Sequence, residues 1–126
     1  MILPSTRKVL SPVIVAAVDG LPEVVTHNKN GFCIAPSLPV EQYAQLGGSN
    51  DQLPEYVYNP KTDKIEAPKL VDPMALADKI QVLCSQPTLY ERMSQAAIKS
   101  AQTEFYFGNY INHFYGILLD DQVFLT

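Results

Sequence analysis

"PVIVAAVDGLPEVV", Pro12 to Val25, joins an unbroken apolar run to a turn that reads Gly-Leu-Pro-Glu. Val13–Val18 does not alternate with polar residues, and a continuous run of this kind fits a parallel strand covered on both faces. Asp19-Gly20 open a short helix that Pro22 starts, because the fixed φ of proline suits the first helical turn. Glu23 lies in that turn, where the helix dipole favours a carboxylate by about 0.3–1 kcal/mol. His27-Asn28-Lys29-Asn30-Gly31 is turn chemistry, since Asn and Gly tolerate positive φ. Phe32–Ala35 is a second short apolar strand, ended by Pro36. Residues 1–36 therefore predict a strand-helix-strand unit with parallel strands and a right-handed crossover.

Beyond this unit the pattern changes twice. From Ser37 to Val71, Pro39, Gly47-Gly48, Pro54, Pro60 and Pro68 punctuate about 35 residues, longer than an ordinary loop. Residues 37–71 read as a loop-rich insertion, with a β-ribbon of Glu55–Tyr58 and Lys64–Glu66 around an Asn59–Asp63 turn as one option. Helical periodicity covers 72–119. Asp72-Pro73 is an N-cap followed by proline, and Leu76, Ile80 and Leu83 share a face with Ala77 and Cys84 beside it. Gln86-Pro87 separates a second helix, whose apolar side carries Leu89, Met93, Ala96, Ala97, Ala101 and Phe105. A third runs from Phe107 to Leu119, weakened by Gly108 and Gly116, and 120–126 reads as a tail.

Composition bounds the function. The 126 residues are 47% hydrophobic and 17% charged, with a net charge of −4, enough for one domain and not two. The acidic balance and scattered Lys and Arg argue against a nucleic-acid partner. No apolar run approaches the ~20 residues of a membrane span. MILPSTRKVL lacks the long apolar core of a signal peptide, so a cytoplasmic location is expected. Cys33 and Cys84 sit among apolar neighbours and read as buried free thiols.

Several of these segments resemble the C-terminal region of the group 1 glycosyltransferases, the GT-B-fold enzymes that use nucleotide-sugar donors. Pro12–Val15 through Gly20-Leu21-Pro22-Glu23-Val24-Val25, then Asn30–Pro36, is similar to the family's "PVVASDVGGIPEVV" and "NGLLVP". Asp72-Pro73-x-Ala75-Leu76-Ala77 and Pro87-x-Leu89-x-Glu91-Arg92-Met93 look like its later "DPEALA" and "PxLRERL", and Phe105–Leu118 is similar in kind to its closing helix. The resemblance implies an α/β chain, a partial Rossmann-like GT-B C-terminal domain with short parallel strands and about three final helices. It implies a segment of an enzyme that moves a sugar from a nucleotide-sugar donor to an acceptor hydroxyl, inactive alone. The donor would be a substrate, and no cofactor is implied. The chain departs from the pattern in three places. Asp19 stands where the family has the first glycine of its turn, Ala16-Ala17 stand where it has Ser-Asp, and the glutamate signature that binds the donor is absent from the residues before Pro12.

Gly20, Leu21, Pro22 and Glu23 form the best site candidate, which the resemblance places near the donor cleft. A helix N-terminus there can receive a phosphate, although ordinary capping explains the same residues. Glu23 has no second acid placed to make it a general base, so no catalytic residue is assigned. His27 reads as a solvated turn residue, His113 as a helix-edge residue, and no His, Cys, Asp or Glu spacing suggests a metal. Tyr106, Tyr110, Phe114 and Tyr115 suggest either a sugar platform or a packing surface for further polypeptide. Two parallel strands are not stable alone. The expected partners are therefore the N-terminal half of a glycosyltransferase or a second copy. A non-catalytic assembly module is the alternative, and a small nucleotide-binding protein is weaker still because no glycine-rich phosphate loop is present.

Overall fold

The computed structural model describes residues 10–124 and is mixed α/β, with small two-stranded sheets and helices. The signal-peptide reading of residues 1–9 and the last two residues of the expected tail lie outside the described residues.

Two strands, β1 (Val13–Ala16) and β2 (Gly31–Ile34), pair in parallel, with Val13 opposite Gly31 and Ala16 opposite Ile34. β1 stops two residues before Val18: Ala17 N–H makes the last cross-strand bond, to the Ile34 carbonyl, and Val18 N–H turns back to Ala16 O at 2.9 Å. β2 starts one residue early, at Gly31, because the strands approach so closely there that a Cβ would meet the Val13 carbonyl oxygen. Between them, α1 (Leu21–Val24) is a single turn. Proline is its second residue, not its first, and extended Val25 ends it. The return turn is held by Asn30, a buried amide whose Oδ1 accepts from Thr26 N–H at 2.8 Å and whose Nδ2 donates to Val24 O at 3.2 Å. Asn28 takes the positive φ, 67°.

The insertion has more order than its composition suggests. Its ends meet as an antiparallel pair, β3 (Leu38–Pro39) with β6 (Lys69–Leu70), so the segment leaves and returns through one neck. Inside it, β4 (Val57–Asn59) and β5 (Lys64–Glu66) form an antiparallel hairpin. Short 3₁₀ turns occupy Val40–Gln42 and Asn50–Gln52.

Three helices follow. α2 (Pro73–Ser85) is capped by Asp72, whose Oδ1 accepts from Met74 N–H at 2.9 Å. α3 (Pro87–Gln102) starts at the expected proline. α4 (Phe107–Phe124) runs past Leu119, so residues 120–124 are helical and not a tail. The inward face of α2 also differs from the expected one. Ala75, Lys79, Val82 and Leu83 are half-buried, whereas Leu76 and Ile80 are exposed. α2 lies against β2 and α3, and the Lys79 ammonium sits 4.8 Å from the centre of the Phe32 ring. The lysine stem thus takes the place expected for an aliphatic side chain, a use open to a long amphipathic residue.

The core is small. Val25, Phe32 and Met93 are buried in it, with Pro12 buried at the entrance of β1, and Met93 is 0% exposed. α3 is tied to the entrance of β1 by Ser94 Oγ, which donates to Leu10 O at 2.6 Å, and by Tyr90 OH, which donates to Ser11 Oγ at 3.2 Å. The expected double cover of the parallel strands is not present. Val13 is exposed and Ile14–Ala16 are only half-buried, because two strands and one packed helix leave part of the sheet without a neighbour. With so few buried side chains, Met93→Ala should cost about 3 kcal/mol, the middle of the range for truncating a buried large side chain. Urea unfolding followed by circular dichroism measures it.

Candidate functional site

The carboxyl ends of β1 and β2 open into a cleft of about 370 Å³. Ala17, Val18, Ala35 and Pro36 supply its floor where the two strands end, and Pro22 adds the α1 side. The facing wall comes from the insertion: Val57, Asn59, Pro60 and Lys61 from the hairpin turn, then Glu66, Ala67 and Lys69 from its return. In open α/β sheets, ligands bind outside the carboxyl ends of parallel strands. Its lining is mostly apolar with a few polar groups, and its volume falls at the lower end of the range of small-molecule pockets.

Of the four residues singled out in the sequence, Pro22 reaches the cleft lining, and Gly20, Leu21 and Glu23 are exposed on the turn. Leu21 N–H donates to Val18 O at 3.2 Å and Glu23 N–H to Gly20 O at 3.1 Å. Pro22 has no N–H. Three of the four amide positions of Gly20–Glu23 are thus closed to a phosphate, and the turn contributes shape to the cleft more than hydrogen bonds.

The polar groups instead come from a stretch with no periodic signal. Glu66 accepts from Asn59 Nδ2 at 3.1 Å and from Thr62 Oγ1 at 3.0 Å. These bonds, the Asn59 one foremost and aided by Lys69 and Lys64, hold its carboxyl below the ordinary value of 4.5. Asn59 Oδ1 accepts from Lys61 N–H at 3.0 Å, which fixes the turn. Tyr58 OH donates to Asp63 Oδ1 at 2.6 Å. That bond, with the negative charges of Asp63 and Glu23 nearby, pushes the phenol above its ordinary 10.0. Lys61 and Lys69 bring positive charge to the lining. Sequence reasoning missed Asn59, Lys61, Glu66 and Lys69 as site residues. The Asn-Pro turn and the strand pairing around it were visible signals, but their placement against β1 and β2 was not.

The remaining candidates are structural. His27 is exposed, but its Nδ1 accepts from Cys33 N–H at 3.0 Å and its ring meets Phe32 edge-on at 5.7 Å. It braces the turn and is not simply solvated. Cys33 is half-buried, its thiol donates to Val25 O at 3.1 Å, and burial pushes its pKa up, which keeps it protonated. Cys84 is exposed, contrary to its apolar sequence neighbourhood, because it lies off the packed face of α2. Among the described residues no group of His, Cys, Asp and Glu could hold a metal ion, and no helix is long and apolar enough to cross a membrane. On α4, Phe107, Tyr110 and Phe114 stack in series, with centroids 6.1 and 6.4 Å apart. They are 70, 63 and 47% exposed, away from the cleft lining.

The hairpin should respond to pH at both ends. The Glu66 contribution is fully present above about pH 4.5 and is lost as pH falls through its lowered folded value. The Tyr58 contribution is fully present below about pH 10 and is lost as pH rises through its raised folded value. The Ile65 methyl NMR signal should shift in both limbs; Glu66→Gln should abolish the acid one and Tyr58→Phe the alkaline one. No protein-family model, curated protein or solved structure matches the chain.

Proposed function

We propose that this chain forms one wall of the donor cleft of a nucleotide-sugar glycosyltransferase, as part of a Rossmann-like GT-B C-terminal domain. The observation that carries the reading is the cleft at the carboxyl ends of the parallel β1–β2 pair, with Pro22 of the Gly-Leu-Pro-Glu turn on one side and Lys61 and Lys69 on the other. The order of motifs along the chain supports it. In the reaction the bond between the anomeric carbon and the diphosphate oxygen breaks, and a new bond forms to an acceptor hydroxyl, whose proton leaves. Stabilising the departing diphosphate supplies most of the rate. Lysines at the rim of an apolar cleft suit that charge. This chain assigns no catalytic base, and by itself it transfers no sugar.

Titration of the ¹⁵N-labelled chain with UDP, ADP and GDP tests the reading. At least one diphosphate should shift the amides of Ala17, Val18, Ala35 and Lys61. Lys61→Ala or Lys69→Ala should weaken binding about threefold each, the order of one exposed charge interaction. Unmoved signals with all three diphosphates at millimolar concentration would sink it.

A second reading, a non-catalytic assembly module derived from the same fold, is favoured by the outward aromatic series of α4 and the exposed Val13 edge of β1. Exposed apolar surface on this scale marks an interaction site. On that reading, sedimentation equilibrium gives a self-associated mass that falls to the monomer in Phe114→Glu. A monomer at about 100 µM excludes self-assembly with a dissociation constant below about that concentration.

A further inference from the structure

We propose that Asp19 is a positioning residue: it latches the β4–β5 hairpin in place as the second wall of the cleft and so sets where Lys61 meets an anionic ligand. The latch rests on the Asp19–Tyr58 hydrogen bonds, and the ligand assigned to the wall rests on the donor-cleft reading above.

Asp19 has φ of 53°, in the left-handed region. Glycine occupies that conformation without strain, whereas a side chain is disfavoured there, with Asp and Asn tolerated best. A residue kept there should make some compensating interaction, and Asp19 makes two with one residue 39 positions away. Its backbone N–H donates to the Tyr58 carbonyl at 2.9 Å, and its Oδ1 accepts from Tyr58 N–H at 2.9 Å. Tyr58 is the middle residue of β4, and its backbone faces Asp19 on the edge away from β5. The hairpin belongs to a different sheet from β1 and β2. Among the described residues these two bonds are what join it to the β1–α1 turn.

The hairpin is stiff within itself. Its ladder pairs Val57–Asn59 with Lys64–Glu66, Tyr58 reaches Asp63, and Asn59 and Thr62 both reach Glu66. A stiff element held at the β3–β6 neck and by its bonds to Asp19 moves as a unit. With the latch closed, Val57, Asn59 and Lys61 line the cleft opposite Val18 and Pro22. With it open, the cleft loses that wall and Lys61 loses its fixed place.

Asp19→Gly and Asp19→Asn separate the latch from general stability. Glycine suits the backbone but removes the acceptor. Asparagine keeps an Oδ1 acceptor in nearly the same shape. In Asp19→Gly, hydrogen exchange at Tyr58 should accelerate at least tenfold and the heteronuclear NOE of 57–66 should fall, with β1 and β2 amides unchanged. Asp19→Asn should restore wild-type behaviour. UDP affinity should drop about three- to tenfold in Asp19→Gly, as expected when preorganisation is lost, and recover in Asp19→Asn. Hairpin amides as ordered in Asp19→Gly as in the wild type overturn the latch, whatever UDP does. A freed hairpin with unchanged UDP affinity overturns its role in binding. A freed hairpin in a chain whose wild type ignores UDP, ADP and GDP alike supports the latch and overturns the donor-cleft reading alone.

Discussion

The parallel pairing of Val13–Ala16 with Gly31–Ile34 is the constraint on which the remaining structure depends. It demands a return path short enough for one helical turn and a glycine where the backbones come closest. Gly31 meets the second demand, since any Cβ would meet the Val13 carbonyl oxygen. Asn30 meets the first, because its buried amide, at the end of the turn, bonds back to Val24 and Thr26 at the turn's start. Once the strands lie side by side, their carboxyl ends define the floor of the cleft, and α2 can cover Phe32.

The molecule divides into parts of unequal cohesion. The few buried apolar side chains of the core come from Val25, β2 and α3, and Ser94 and Tyr90 stitch α3 to the chain entering β1. The insertion is pinched at its neck by β3 and β6 and held at its far end through Asp19. It owes its position to hydrogen bonds more than to buried apolar area. Such bonds contribute about 1 kcal/mol each, so this wall is the part of the cleft most easily displaced. α4 carries an aromatic series that faces away from the core.

Much of the architecture was legible in the residues. The unbroken run Val13–Val18 and the turn residues Asn28–Gly31 specify two strands with a tight return, and Asp72-Pro73 and Gln86-Pro87 mark helix starts because an acceptor or a fixed φ acts locally. The hairpin around Asn59–Asp63 was legible for the same reason. The inward face of α2 was not. Leu76 and Ile80 satisfy helical spacing, but which stripe is buried depends on where the sheet lies, and the sheet meets Lys79. The exposed Cys84 follows from the same rotation.

The sequence by itself therefore determined the order of the main elements and that β1 and β2 run parallel, since capping, turn conformation and apolar runs act within a few residues, although β1, β2 and α4 start or end at other residues than those runs imply. Only the tertiary structure decided which residues form the cleft. Asp19 and Tyr58 are 39 positions apart, and the bonds between them, which carry Lys61 to the wall facing Val18 and Pro22, come from a chain path that no local propensity encodes.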